Sequence, residues 1–185
     1  MIARALGWSR RTEVPVAETA PTVDEARFRE VYHRFARPVW TYLRRVTGDA
    51  AVADDLLQDT FCRYLTAGPP ETEFEAIRGW LFRVASNLAM DHFRRQGRAP
   101  RAIDDVDEPR ATPHQPDVLA GRAMRETFAQ LAPRERAVLW LAYVEDASHR
   151  DIAAAMGVRE GGVRVLLFRA KQRLGTLLSK LRRTS

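Results

Sequence analysis

The stretch SHRDIAAAMGVREGGVRVLLFRAKQRL, residues 148–174, constrains the fold more than any other. Ser148 and Asp151 have the spacing of a capping box, in which two side chains satisfy the first free amides of a helix. Gly157 follows Met156, where a residue able to adopt the left-handed conformation ends a helix. Ile152, Ala153 and Met156 then pack the first helix, Val158 bridges the turn, and Val163 and Leu167 pack a second helix. Two helices about a tight glycine turn are the layout of a helix-turn-helix. Its second helix exposes Arg159, Glu160, Arg164, Val165, Phe168, Arg169 and Lys171.

Charge says what such a surface meets. The chain carries a formal +6, but residues 118–185 alone hold 13 basic and six acidic side chains, a local +7. Residues 23–95 are neutral, with 11 of each sign. A cationic excess confined to the part with the helix-turn-helix predicts a polyanion partner. Side chains at the start of the second helix would reach base edges in the major groove, and the longer basic ones would reach phosphates.

The rest of the chain divides around one segment. QGRAPRAIDDVDEPRATPHQPD, residues 96–117, is rich in proline and acids and has no helical period, so it reads as a flexible linker. Residues 1–22 read as a loose tail, 23–95 as one folded domain and 118–185 as a second. Both are expected to be helical. Thr22 and Glu25 have capping-box spacing, and Phe28, Val31, Phe35, Val39, Leu43 and Val46 then keep a helical period. Pro38 interrupts that period and predicts a kink or break. Asp49 is placed to cap a second helix, which ends at AGPP, and a third is expected over residues 76–95. In the second domain, helices are expected over 118–131, from Pro133 to Val144, and on either side of Gly157. Sustained alternation and Asn-Gly turns are lacking, so no strand is expected. The predicted fold is all-α: two small helical domains joined by a flexible linker, the C-terminal one a helix-turn-helix.

Several classes fall away. No apolar run is long enough to span a bilayer, and the N-terminus has no hydrophobic segment of a secretory signal, so a cytoplasmic protein is expected. The lone Cys62 excludes an internal disulfide framework and any CxxC metal site. His33, His92, His114 and His149 have no metal spacing, and none lies near Cys62 in sequence. Neither a catalytic constellation nor a cofactor or metal is expected.

Two helical faces carry further chemistry. In ADDLLQDTF, residues 53–61, the apolar members fall on one side and Asp54, Asp55, Gln58 and Asp59 on the other. Such a cluster is a solvated face, a metal site or a docking surface for a basic partner. In WLFRVASNLAMDHFRR, residues 80–95, Arg83, Asn87, Met90, Asp91 and Arg94 lie along one outward side with Phe82 and Phe93 flanking. Interleaved arginine, amide and aromatic groups suit unstacked single-stranded bases, and an amide can hold a flipped base by its edge.

In this order the pieces resemble bacterial sigma factors of the sigma-70 family, in the extracytoplasmic-function group. ADDLLQDTFCRYL is similar to region 2.2, WLFRVASNLAMDHFRR to regions 2.3 and 2.4, and the stretch from LAPRERAVL through SHRDIA to GGVR to region 4. The resemblance implies that Asp54, Asp55, Gln58, Asp59 and Phe61 dock on the clamp helices of the β′ subunit of core RNA polymerase. It implies that Arg83, Asn87, Asp91, Arg94 and Arg95 serve the minus-ten element, Asn87 at an extruded base and the last two arginines at phosphates. Arg159, Glu160, Gly162, Arg164, Val165, Phe168, Arg169 and Lys171 would read the minus-thirty-five element. The second domain would meet the flap of the β subunit. An anti-sigma factor is a common further partner, and the acidic linker could lie in the channel through which nascent RNA passes. The chain would then direct polymerase to promoters and help melt them, binding DNA as duplex and as single strand.

Two departures from the family pattern bear on specificity. Relatives often carry a Phe-x-Gly loop where this chain has GPPETEFEA, and many have Gly-Thr-Val-Lys-Ser-Arg where it has Gly161, Gly162, Val163, Arg164, Val165 and Leu166. Two rivals are distinct in kind. One is a stand-alone helix-turn-helix regulator with a ligand-binding or dimerisation domain. The other is a magnesium-dependent enzyme using Asp54, Asp55 and Asp59, but their spacing is Asp-Asp-x-x-x-Asp and no second acidic motif faces them.

Overall fold

The computed structural model describes residues 23–67, 73–97 and 118–184. These hold seven helices and no strand: α1 (Glu25–Thr47), α2 (Ala50–Ala67), α3 (Phe74–Gln96), α4 (Val118–Ala129), α5 (Pro133–Tyr143), α6 (His149–Met156) and α7 (Glu160–Thr184). The all-α expectation holds. The tail, the residues 68–72 that open the α2–α3 loop and most of the expected linker lie outside the described residues.

Local chemistry sets most boundaries. The cap of α1 is Asp24, whose carboxylate accepts from the Arg27 amide at 2.8 Å. Asp49 caps α2 as expected, accepting from the Val52 amide at 3.1 Å. At the start of α5, Glu135 reaches back to the Ala132 amide at 2.8 Å, with Pro133 in the first turn. Ser148 Oγ accepts from the Asp151 amide at 3.2 Å and lies 2.6 Å from the Asp151 carboxylate. Gly157 closes α6 at φ 61°, a left-handed turn that glycine adopts without a Cβ penalty.

Of the kink or break expected at Pro38, the break does not occur, because α1 runs through the proline as a single helix. The ring is exposed, and Val31, Phe35, Val39, Tyr42, Leu43 and Val46 are buried on both sides of it. Packing along that stripe outweighs the cost of a missing amide, about 3 kcal/mol.

Helices α1, α2 and α3 pack on one another around Phe61, Tyr64, Ile77, Leu81 and Leu88. Helices α5, α6 and α7 enclose Leu141, Ile152, Met156 and Val163, with α4 against α7. The two groups also touch, α1 against α5 and α3 against α6. No helix among the described residues is long and apolar enough to cross a membrane.

Candidate polymerase and nucleic-acid interfaces

Helix α2 is built as a two-faced element. Ala53, Leu56, Thr60, Phe61 and Tyr64 are buried, which turns Asp54, Asp55, Gln58 and Asp59 outward as one exposed acidic strip. Trp40 of α1 donates its indole N–H to Asp54 at 2.7 Å, which fixes one end of the strip. Phe61 does not stand among these residues. It is 3% exposed and meets Tyr32 edge-on at 4.8 Å and Phe28 at 6.1 Å, so its part is to lock α2 onto α1. Phe61 lies two positions past Asp59, a turn of about 200°, which sets it on the opposite, apolar face of the helix.

Helix α3 presents Arg83 and Asn87, one turn apart and both exposed. Asp91 follows on the same side, pairing with Arg94 at 2.6 Å, and Arg95 is exposed beside it. Of the aromatic flank expected for this face, Phe82 has turned inward and Phe93 keeps only part of its surface. Phe82 is 4% exposed and packs edge-on against Tyr42, while Met90 and Phe93 lie half-buried against the core. The side chains that stand outward on this face are therefore Arg83, Asn87, Arg94 and Arg95, with Asp91 half-buried among them. Arg83 also lines a cleft of about 290 Å³ between α3 and α6, shared with Arg78, Phe82, Glu145, Ser148 and Asp151.

The helix-turn-helix is α6 and α7. Val163, Leu167 and Ala170 are buried, Leu166 and Leu174 half-buried, and they seat α7 on α5 and α6. Arg159, Glu160, Arg164, Val165, Phe168, Arg169 and Lys171 all face outward, and Gly162 is half-buried beside Val158. Lys171 lies over the Tyr143 ring at 4.8 Å, a cation–π contact that draws it towards the end of α5. Leu166, where many relatives have a basic residue, packs against the core.

Two contacts escaped the reading of the sequence. The Trp40–Asp54 bond spans 14 residues, and the Arg78–Glu145 pair, at 2.9 Å, joins positions 67 apart. Helical period shows which side a residue faces but not which residue of another helix it meets.

The comparisons match this layout. The model for sigma-70 region 2 fits residues 31–99 and that for sigma-70, region 4 fits residues 121–174. The ECF RNA polymerase sigma factor SigL of Mycobacterium tuberculosis is 32% identical over 170 residues, spanning 88% of this chain and 94% of the relative. The ECF RNA polymerase sigma factor SigM of Bacillus subtilis is 27% identical, over 82% of this chain and 94% of its own. Among solved structures, the sigma factor RpoE of Bartonella quintana, in complex with the anti-sigma factor NepR, superposes with a TM-score of 0.64 at 20% identity. It covers 82% of this chain and 96% of that one. CnrH, in complex with the cytosolic domain of CnrY, gives 0.60 at 22% identity, over 87% and 93%. A stand-alone regulator is not favoured, because region 2 occupies the N-terminal half where a ligand-binding or dimerisation domain would sit. The chain belongs to the sigma-70 family, as a sigma factor of the extracytoplasmic-function group that directs RNA polymerase to promoters.

Proposed function

We propose that α2 docks this sigma factor on the polymerase, α3 captures unpaired bases of the minus-ten element, and α7 reads the minus-thirty-five duplex. The observation that carries this reading is the outward strip Asp54, Asp55, Gln58 and Asp59 on a chain of net +6. Such a strip repels DNA and attracts a basic protein surface, so it separates the polymerase contact from the nucleic-acid contacts electrostatically. The clamp helices of the β′ subunit are the proposed partner of the strip, and the β flap that of α4–α7.

Promoter opening follows from the same division. Arg159, Glu160, Gly162, Arg164, Val165, Phe168, Arg169 and Lys171 hold α7 in the upstream groove, with phosphate contacts strengthened by counterion release. Asn87 accepts an extruded base by its hydrogen-bonding edge, with Arg83 and Asp91 beside it and Arg94 and Arg95 at phosphates. That capture offsets an unstacking cost of a few kcal/mol. Catalytic magnesium and nucleotide addition belong to the polymerase. Sigma factors are initiation factors rather than catalysts, and this chain contributes binding energy and position. An anti-sigma factor that covers these surfaces is the proposed regulator, and the Bartonella quintana relative is seen in complex with such a factor.

The test is an affinity measurement. Asp55→Arg with Asp59→Arg in the full chain is expected to abolish capture of core polymerase in a pull-down, with the circular dichroism spectrum unchanged. Undiminished capture overturns the docking assignment.

A further inference from the structure

Helix α7 carries two apolar side chains in water at the centre of its outer face. Val163, Leu167 and Ala170 point inward, and at 3.6 residues per turn the opposite line passes through Gly161, Val165, Phe168 and Gln172. Val165 is 49% exposed and Phe168 62%. Arg164 and Arg169 stand exposed on either side of them. One turn before Val165, a Cβ at Gly161 would meet nothing within 4 Å, so the helix is bare there and its backbone can approach a surface closely.

A ligand for this strip must be anionic at its edges and apolar at points between. Duplex DNA meets both demands in the major groove, where the C5-methyl of thymine is the apolar group among donors and acceptors. An apolar protein groove would meet only the second, and the flanking arginines would gain nothing from it. Side chains three apart on a helix have Cβ atoms about 5–6 Å apart. Base pairs rise 3.4 Å, so two such side chains span neighbouring or next-neighbouring pairs.

We infer that Val165 and Phe168 are specificity residues that recognise thymine methyl groups in the upstream promoter element, Val165 as the central contact. The inference rests on α7 being the duplex-reading helix. It gives Val165 a positive role: methyl readout by an aliphatic side chain where many relatives place a hydroxyl.

The experiment uses the full chain assembled with core polymerase. A preferred upstream element is first selected from a randomised promoter library. Each thymine in it is then replaced by deoxyuridine, which lacks only the methyl, and binding is measured by competition. One or two positions are expected to lose roughly fourfold in affinity, the worth of one buried methyl-sized group. Val165→Ser, an exposed substitution, is expected to erase the loss at one of them while keeping the response to changes elsewhere in the promoter. A preferred element that is indifferent to methyl removal overturns the inference alone. So does equal sensitivity in wild type and Val165→Ser, which would leave the strip as a protein contact. A library yielding no preferred upstream element overturns it together with the reading of α7.

Discussion

Arg78 and Glu145 bind the two helical groups together. Arg78, on α3, donates from Nη2 to Glu145 Oε2 at 2.9 Å and from Nε to the same oxygen at 3.3 Å. Nη2 also reaches the Glu145 carbonyl, in the turn after α5. The other Glu145 oxygen accepts from the Trp140 indole at 3.0 Å, so the carboxylate is held from both sides. Its side chain is only 11% exposed, which lifts this pair above an ordinary surface ion pair. Arg78→Glu is therefore expected to part α3 from α6, costing about 1–2 kcal/mol of contact energy. Small-angle scattering should show a larger radius of gyration, and adding Glu145→Arg should restore the compact form. An unchanged radius in Arg78→Glu would show that apolar contacts between the groups suffice.

The core of the α1–α3 group contains a polar pair with a definite direction. Ser86 Oγ–H donates to the Phe82 carbonyl at 2.6 Å, so the Tyr42 hydroxyl, 2.7 Å away, is the donor to Ser86. Burial pushes the Tyr42 phenol well above its ordinary value of 10.0. The neutral phenol thus supports the fold fully below pH 10, and that support is lost as pH rises from there towards the elevated folded value. Tyr42→Phe is expected to cost about 1 kcal/mol at neutral pH. Its deficit against wild type should shrink above pH 10 in thermal melts. Ser86→Ala should cost more than Tyr42→Phe, because it strands a buried hydroxyl.

Sequence and structure agree where a local rule decides. The capping residues Asp49 and Ser148, the left-handed Gly157 and the inward stripe of α7 follow from spacing and backbone preference. The acidic strip of α2 and the outward Arg83 and Asn87 follow from the helical period in the same way. The unbroken run through Pro38 and the inward turn of Phe82 were decided by packing: a buried stripe carried α1 past its proline, and Phe82 filled the interior. The helical period itself puts Phe61 on the apolar face, and only the family resemblance sets it among the docking residues. The Arg78–Glu145 contact was illegible because it depends on how two separately readable halves meet.

Trp40 offers a way to perturb the proposed docking strip without touching its charge. Its indole N–H holds the Asp54 carboxylate at 2.7 Å, while its ring packs half-buried against the core. Trp40→Phe keeps the apolar contact and removes the donor, which frees Asp54 to rotate. Ordering a released side chain on binding costs about 0.5–1.5 kcal/mol, so core-polymerase affinity is expected to fall about two- to tenfold. The loss should be far smaller than that of the double arginine variant. An unaltered dissociation rate in surface plasmon resonance would remove Asp54 from the contact while leaving Asp55 and Asp59 in place.

Under the proposed function, Asn87 is the residue whose removal should separate binding from melting. It is exposed on α3, while its backbone neighbours Ser86 and Leu88 are buried, so Asn87→Ala removes one amide without disturbing the core. In a closed complex the bases remain stacked, and the amide has no partner edge to hold. After opening it can make two hydrogen bonds to one base, and a good pair of this kind is worth about 1–3 kcal/mol. Asn87→Ala is therefore expected to reduce permanganate reactivity of promoter thymines about tenfold, with closed-complex affinity in a gel shift changed less than twofold. Basic neighbours set the contrast, because Arg95→Ala would remove the phosphate contact proposed for both states and should weaken both readouts together. Equal losses for Asn87→Ala in the two assays would assign the amide to duplex binding and take base capture away from α3.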